Sequence, residues 1–536
     1  MDDAARAETV TRAFRIIHDI QAGVPGATDE LAALGTLARD AGWDDVVRAY
    51  LFGEAVASWI RGDDAAAGLV RALVEQSEEA GDAVMLALGL ALRSDQGFSG
   101  ADLGATALYD GDLARAIALL EPERGRPCER ISAHTACAIA LGNRWLFELS
   151  HEQYAAALAI GDAEPKGTLD FLLAPIRFNL AEEQVSWASK LYELGDAAAV
   201  EERWAAWNQA VAQTEAYSMS ESWRVELDAL GLVLRALAGG DVTGPATHHL
   251  SELGDDGGDA RAGSLLRLAV AVSLAQRAAA QGGGDGVAGE GAQDREVAAA
   301  IDAATTAISP VVHPFMYDLA LFLAAEAEGR RGSGAGLRYA RRVAQEQWAK
   351  RDAALMAMRS QIASVRVVSE RDHLSRLARL DDLTGIANRW ALEEFLSDLI
   401  SRRVERCALV LFDVDSFKAV NDVHGHLAGD RLLVRIAEVL SRGIRASDLA
   451  VRLGGDEFAV ILAGAGPAAA RRRAEALLRA FGDEPSGGVA DGLRIRVSAG
   501  VAIGAPSTVM EMWAAADAAL YEAKAAGGGV VRLAPV

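Results

Sequence analysis

The chain has 536 residues, enough for about three to four average domains. Hydrophobic residues make up 51% and charged residues 24%, the composition of an ordinary globular protein. The net charge of -23 excludes a nucleic-acid-binding surface over the whole chain, because phosphate backbones select Lys and Arg, and leaves room only for a local basic pocket.

The three cysteines, Cys128, Cys137 and Cys407, have no metal-ligand spacing. A sparse, odd set predicts a reducing cytoplasm and no disulfide framework. The first residues, MDDAARAETV, are acidic and lack an apolar run, so they do not read as a signal peptide. The apolar stretches Leu265 to Ala280 and Ile308 to Ala325 are interrupted by Arg267, Arg277, His313 and Asp318. No membrane span is predicted.

Residues 1–340 are rich in Ala, Leu and Glu with few β-branched runs, which favours helix. Short breaks recur: WIRGDD at Trp59, LYDGDLARAIALLE at Leu108, LAIGDAEP at Leu158, LYELGD at Leu191 and LAGGDVTG at Leu237. Gly suits the position after a helix and Asp suits the cap of the next. The stretch at Leu108 resembles the turn of a tetratricopeptide repeat. The irregular spacing leaves two arrangements open, a degenerate helical-hairpin solenoid and an ordinary helical bundle. Either is an all-α sensory or interaction region that can take a protein partner or a small ligand. The Gly-rich stretch Ala279 to Asp294 reads as a loop within it.

Residues 341–380 read as a signalling helix. Leu355, Met358, Ile362 and Val365 follow three-four-three spacing, as a coiled-coil seam does. The seam then shifts register toward Leu374 and Leu377. Two roles stay open, a helix that pairs two chains and a single amphipathic connector.

From residue 381 to 536 strands and helices alternate. CALVLFDVD (Cys407 to Asp415) is a buried strand ending in acids. GDRLLVRIAEVLSRGI (Gly429 to Ile444) sets Leu432, Leu433, Ile436 and Val439 on one helical face. LAVRL and FAVILA are two strands flanking the tip Gly454, Gly455, Asp456 and Glu457. IRVSAGVAIG (Ile495 to Gly504) is a further strand and MEMWAAADAALYEAKAA (Met510 to Ala526) a helix. The prediction is an α+β domain with a mainly antiparallel sheet.

The chemistry lies at the hairpin tip. Gly454 and Gly455 let backbone approach a ligand closely. Asp413 and Asp415 share a face of their strand. If that strand lies beside the hairpin, they converge with Asp456 and Glu457, and clustered carboxylates call for a cation. Oxygen ligands favour Mg²⁺, which also holds substrate phosphates. Lys418 can neutralise a phosphate, and Asn421 and Asp430 offer an amide and an acceptor. A carboxylate facing N1–H and N2–H₂ prefers guanine to adenine. Each acid alone reads as a solvated turn residue; in this order they predict a Mg²⁺-dependent purine nucleotide site.

DDLTGIANR (Asp381 to Arg389), FDVDSFKAVNDVHGHLAGD (Phe412 to Asp430), RLGGDEF (Arg452 to Phe458), SAGVA (Ser498 to Ala502) and ADAALYEAK (Ala516 to Lys524) occur in the order seen in GGDEF-domain diguanylate cyclases. The chain resembles that family from Asp381 to Leu533. The resemblance implies a palm-like ferredoxin-variant fold and the condensation of two GTP into cyclic di-GMP and two pyrophosphates. It implies two Mg²⁺ per site, with Mn²⁺ as the substitute. Asp413, the Val414 carbonyl and Asp456 would hold metal. Asp456 would also help deprotonate the 3′-hydroxyl, and Glu457 would set metal and phosphate geometry. Phe417, Asn421 and Asp430 would hold guanine, and Lys418 and Lys524 would meet phosphates. Each domain holds one GTP, so the active unit implied is a two-fold homodimer. Arg445 and Asp448, in RASD, stand where related cyclases bind their product and are inhibited. One departure stands out: Gly528 occupies the place of a usual phosphate-contacting arginine. The alternative reading is a catalytically inactive cyclic di-GMP receptor.

Overall fold

The computed structural model describes residues 3–98, 106–121, 125–212, 221–253, 260–281, 290–310, 313–331, 334–377, 379–483 and 496–535. It divides into two compact units, 1–366 and 367–536.

The first unit is all helix among its described elements, from Asp3–Gln21 to the start of a long helix Ala335–Leu377. Helices pack on their sequence neighbours and on the next but one, as stacked hairpins do. Two hydrophobic cores run through the stack, one built mainly from residues between Val10 and Ile176 and one from Ala174 to Ala327.

Three of the Gly-Asp breaks take the expected form. Gly62, Gly195 and Gly239 have positive φ of 71, 80 and 89°. The following acids cap the next segment: Asp63 accepts from the Ala65 amide at 3.1 Å, Asp196 from Ala199 at 3.0 Å and Asp241 from Thr243 at 3.0 Å. The break predicted at Leu108 is corrected. Helix Thr106–Leu119 runs straight through Gly111. Asp112 serves a neighbouring helix instead, accepting from Arg93 at 2.7 and 2.8 Å. The Gly-rich loop expected at Ala279 to Asp294 lies largely outside the described residues.

The coiled-coil spacing also finds a different partner. Met358 and Ile362 are 2% and 4% exposed within the first unit's own core, with Leu355 packed beside them. Arg351 anchors the same face, donating from Nε to the Trp145 carbonyl at 2.8 Å and pairing with Glu148. Arg359 reaches Glu152 at 3.2 Å, and Arg366 pairs with Glu121. The seam that could have paired two chains is covered by the chain itself. The side chains of Leu374 and Leu377 lie outside the described residues.

The second unit holds a five-stranded sheet. Its strands are β1 (Cys407–Val414), β2 (Leu449–Gly454), β3 (Glu457–Ala463), β4 (Val497–Gly504) and β5 (Val531–Leu533), in the order β2-β3-β1-β4-β5. β1 is central, antiparallel to both β3 and β4, and buried along its whole length. A strand buried on both faces reads as a continuous apolar run, as ALVLF does. Ala408, Val410, Phe412 and Val414 enter one core; Cys407, Leu409 and Leu411 enter the other. Helix His426–Gly443 buries Leu432, Leu433, Ile436 and Val439, the face that its periodicity predicts. β5 pairs in parallel with β4. It escaped the sequence reading because three residues carry no period.

The candidate nucleotide site

Strand register sets the site. Asp413, the penultimate residue of β1, lies opposite Glu457, the first residue of β3, and the Val414 amide donates to the Asp456 carbonyl at 3.4 Å. The two acidic pairs therefore meet at one end of the sheet. The tip between β2 and β3 needs its glycines: Gly454 has φ 148° and Gly455 φ 55°, a turn that side chains resist. Asp456 is half-buried and Glu457 exposed, while Asp413 is 8% exposed.

That burial pushes the Asp413 carboxyl above the ordinary carboxylate range. Lys524 opposes the shift by hydrogen bond and charge, its Nζ at 2.6 Å, and the carboxylates of Asp456 and Asp415 add to it. Asp413 thus meets two neighbouring carboxylates and one ammonium.

The tip is braced from outside the hairpin, a feature sequence reasoning missed. Arg452 donates to the Gly455 carbonyl from Nε and Nη2, at 3.1 and 2.9 Å, and from Nη1 to Asp381 at 2.8 Å. Asp381 also accepts from the Thr384 amide and hydroxyl at 2.9 and 2.7 Å. Burial acts to raise the Asp381 pKa, but the bonds from Thr384 and Arg452 outweigh it and hold the carboxyl low. The DDLTG block and the hairpin thus form one rigid corner.

Beyond the acids lies a hollow of about 630 Å³ whose lining includes Asp413, Asp415, His424, Arg496, Lys524 and Gly528. Phe417 and Asn421 sit on the short helix Phe417–His424, which packs on helix His426–Gly443. The helices touch at Gly429, where an added Cβ would fall 1.9 Å from Asn421 Oδ1 and 3.1 Å from Phe417 Cζ. Phe417 and Asn421 therefore converge beside Asp430, the next residue. Lys418 is exposed and is not among the residues lining the hollow. A separate hollow of about 320 Å³ includes Arg445, Asp448, Arg472 and Arg473. Asp448 accepts there from the Arg445 amide and the Ala463 amide, both at 3.1 Å. The two helix arginines were not anticipated, since nothing local ties them to RASD.

A mainly antiparallel sheet with acids at the end of its central strand and acids and glycines at the tip of the neighbouring β2–β3 hairpin, flanked by helices, defines a palm-like α+β domain. A family model for the diguanylate cyclase, GGDEF domain matches residues 378–529, and the chain belongs to that family. The bifunctional diguanylate cyclase/cyclic di-GMP phosphodiesterase MucR of Pseudomonas aeruginosa is 38% identical over 181 residues, covering 33% of this chain and 26% of that protein. An uncharacterized protein in the hutH 5′ region of Streptomyces griseus is 41% identical over 179 residues, 30% of this chain and 73% of that protein. Among solved structures, the coiled coil and GGDEF domain of DgcB from Caulobacter crescentus in complex with c-di-GMP matches at 27% identity and TM-score 0.31, over 34% of this chain and 98% of that one. The chain spans 26% and 22% of the length of the first two curated relatives. No described helix is long and apolar enough to cross a membrane.

Proposed function

We propose that residues 381–536 are a diguanylate cyclase that joins two GTP into cyclic di-GMP with release of two pyrophosphates. The observation that carries this reading is the meeting of Asp413 with the Gly-Gly-Asp-Glu tip beside a hollow that holds Lys524 and Arg496. The Arg452–Asp381 brace holds that tip in a fixed turn, and positioning is most of what such chemistry asks of a protein.

The residues fit Mg²⁺. Among the described residues no three His, Cys, Asp or Glu side chains form a ready-made metal cage. Asp413 and Asp456 act on each other electrostatically, and the Val414 amide bonds to the Asp456 carbonyl at 3.4 Å, so the Val414 main chain lies at the same end of the sheet. A half-built oxygen set of this kind suits Mg²⁺, which takes one or two carboxylates and completes its shell with phosphate and water. The repulsion that Asp415 and Asp456 exert on Asp413 would be relieved by a divalent charge. When bound, the metal supplies charge neutralisation and polarises the phosphate under attack. Mn²⁺ suits the same donors.

The protein's own groups do the rest. Asp456 takes part in removing the 3′-hydroxyl proton, and Glu457 fixes the geometry beside it. Phe417 and Asn421 hold the base, with Asp430 accepting from guanine N1–H and N2–H₂. Lys524 and Lys418 meet phosphate oxygens. One domain carries one GTP, so two domains face each other across a two-fold axis. Arg445 and Asp448, joined by Arg472 and Arg473, form the product site through which cyclic di-GMP inhibits. The helical unit, residues 1–340 in the main, receives the input, a protein or a small ligand. Its large hollow of about 760 Å³, with Phe14, His18, Phe52, Phe178 and Trp223 in the wall, is of ligand-binding size and character.

A turnover assay tests the reading. Full-length protein with GTP and Mg²⁺ yields cyclic di-GMP, Asp456→Ala yields none, and added product slows the wild type but not Arg445→Ala. Binding of cyclic di-GMP without any turnover would move the receptor reading to first place. Arg452→Ala, which unties the tip from Asp381, lowers turnover by about 10- to 100-fold. Its thermal midpoint falls by several degrees, the cost of a part-buried ion pair, but the fold persists because the change lies outside the two hydrophobic cores of the second unit.

A further inference from the structure

Gly527, Gly528 and Gly529 form a run of left-handed residues, with φ of 106, 74 and 67°. The run folds onto Asp415. The Gly529 amide donates to Asp415 Oδ2 at 2.8 Å, and the Ser498 hydroxyl donates to Oδ1 at 2.7 Å. A Cβ on residue 528 would lie 2.7 Å from Asp415 Oδ2. A side chain at position 528 would face both a left-handed backbone and the Asp415 carboxylate, and the glycine there supplies no cation.

The hollow gets its second cation from the segment that leads into β4. Arg496 stands just before β4 and lines the same hollow as Gly528. Its Nη2 donates to the Gly527 and Gly528 carbonyls at 2.6 and 3.1 Å. A Cβ on Gly529 would meet its Nε at 2.9 Å, so the guanidinium lies flat against the turn. Among the lining residues, Lys524 is drawn onto Asp413 at 2.6 Å, and Asp415 is taken up by Ser498 and Gly529. Among the described residues, Arg496 forms no ion pair with either lining carboxylate. Its other N–H groups are left for a ligand, and a guanidinium presents them as a fork that fits phosphate oxygens.

We infer that Arg496 is the arginine that grips the β- and γ-phosphates of the bound nucleotide, in place of the side chain that Gly528 lacks. The assignment rests on the cyclase reading above. The turn supports it, because its carbonyls pre-orient the guanidinium.

The test compares full-length wild type, Arg496→Gln and Arg496→Lys. Calorimetry measures binding of GMP and of a GTP analogue with a methylene bridge between its α- and β-phosphates, which cannot release pyrophosphate. Arg496→Gln weakens the triphosphate analogue by about 10- to 100-fold, the effect of losing a charge-assisted bidentate contact, and leaves GMP within about twofold. Arg496→Lys recovers part of the loss, since the charge remains and the fork does not. No loss for the triphosphate, or an equal loss for both nucleotides, overturns the assignment; the latter would mean that Arg496 only props the turn. Product formation by the wild type is read separately. If the wild type makes no cyclic di-GMP but Arg496→Gln loses the triphosphate selectively, the cyclase reading fails and the phosphate contact stands. A wild type that binds neither nucleotide overturns both.

Discussion

Asp413→Asn lowers cyclic di-GMP formation by about three orders of magnitude or more, the scale of removing a metal-holding charge from a preorganised site, while the ligand-free protein stays at least as stable at pH 7. The two halves of this result have one cause. Asp413 is buried beside two other carboxylates, with Lys524 paired to it at 2.6 Å. Burial, with that repulsion, raises its folded pKa above the unfolded value. The native state therefore holds this proton more tightly than the unfolded chain does. The stabilising contribution is full below the ordinary carboxylate pKa and is lost as pH rises through the raised value. At pH 7 the ionised Asp413 is a cost to the ligand-free fold, and asparagine removes it. Thermal unfolding without metal, for wild type and variant between pH 4 and 8, checks the sign: the wild-type curve falls relative to Asp413→Asn as pH rises. A variant less stable than wild type at pH 7 would mean that the Lys524 pair outweighs burial. The same proton competes with metal, so apparent Mg²⁺ affinity falls as pH drops into the range where Asp413 titrates.

Met358→Ala and Ile362→Ala each destabilise the helical unit by about 2–5 kcal/mol, the cost of emptying a buried aliphatic site. An exposed heptad seam predicts almost no change for the same substitutions in a monomer. The difference is large because the two side chains are 2% and 4% exposed inside a core drawn from helices hundreds of residues upstream. Denaturant unfolding followed by tryptophan fluorescence reads it, Trp348 lying on the same helix. Val367 and Val368 are 64% and 49% exposed, so alanine there costs less than about 0.5 kcal/mol. A loss at Met358 no larger than at Val367 would show that the docked face is not the stable one in solution.

Much of this protein is legible one segment at a time. The helices of the first unit declare themselves through Ala- and Leu-rich runs closed by Gly and opened by Asp, because capping is a matter of neighbouring residues. Asp413, Asp456, Glu457 and the tip glycines are recognisable because strand alternation and turn geometry act over a few positions. Gly429 and Gly528 are visible in the sequence as glycines, but their reasons are not.

Tertiary structure decided the rest. The Arg452–Asp381 brace joins residues 71 apart, and the Arg496–Gly527 bond joins residues 31 apart. The Arg351–Trp145 anchor spans 206 residues. A three-four-three apolar spacing says that a helix will bury a stripe, but the stripe is equally satisfied by a second chain or by its own. Here upstream helices of the same chain cover Met358 and Ile362. Asp112 likewise suits a cap by composition and is claimed by Arg93 in space. Local sequence sets which conformations and charges are available; which partner meets them depends on contacts formed only once distant segments have packed.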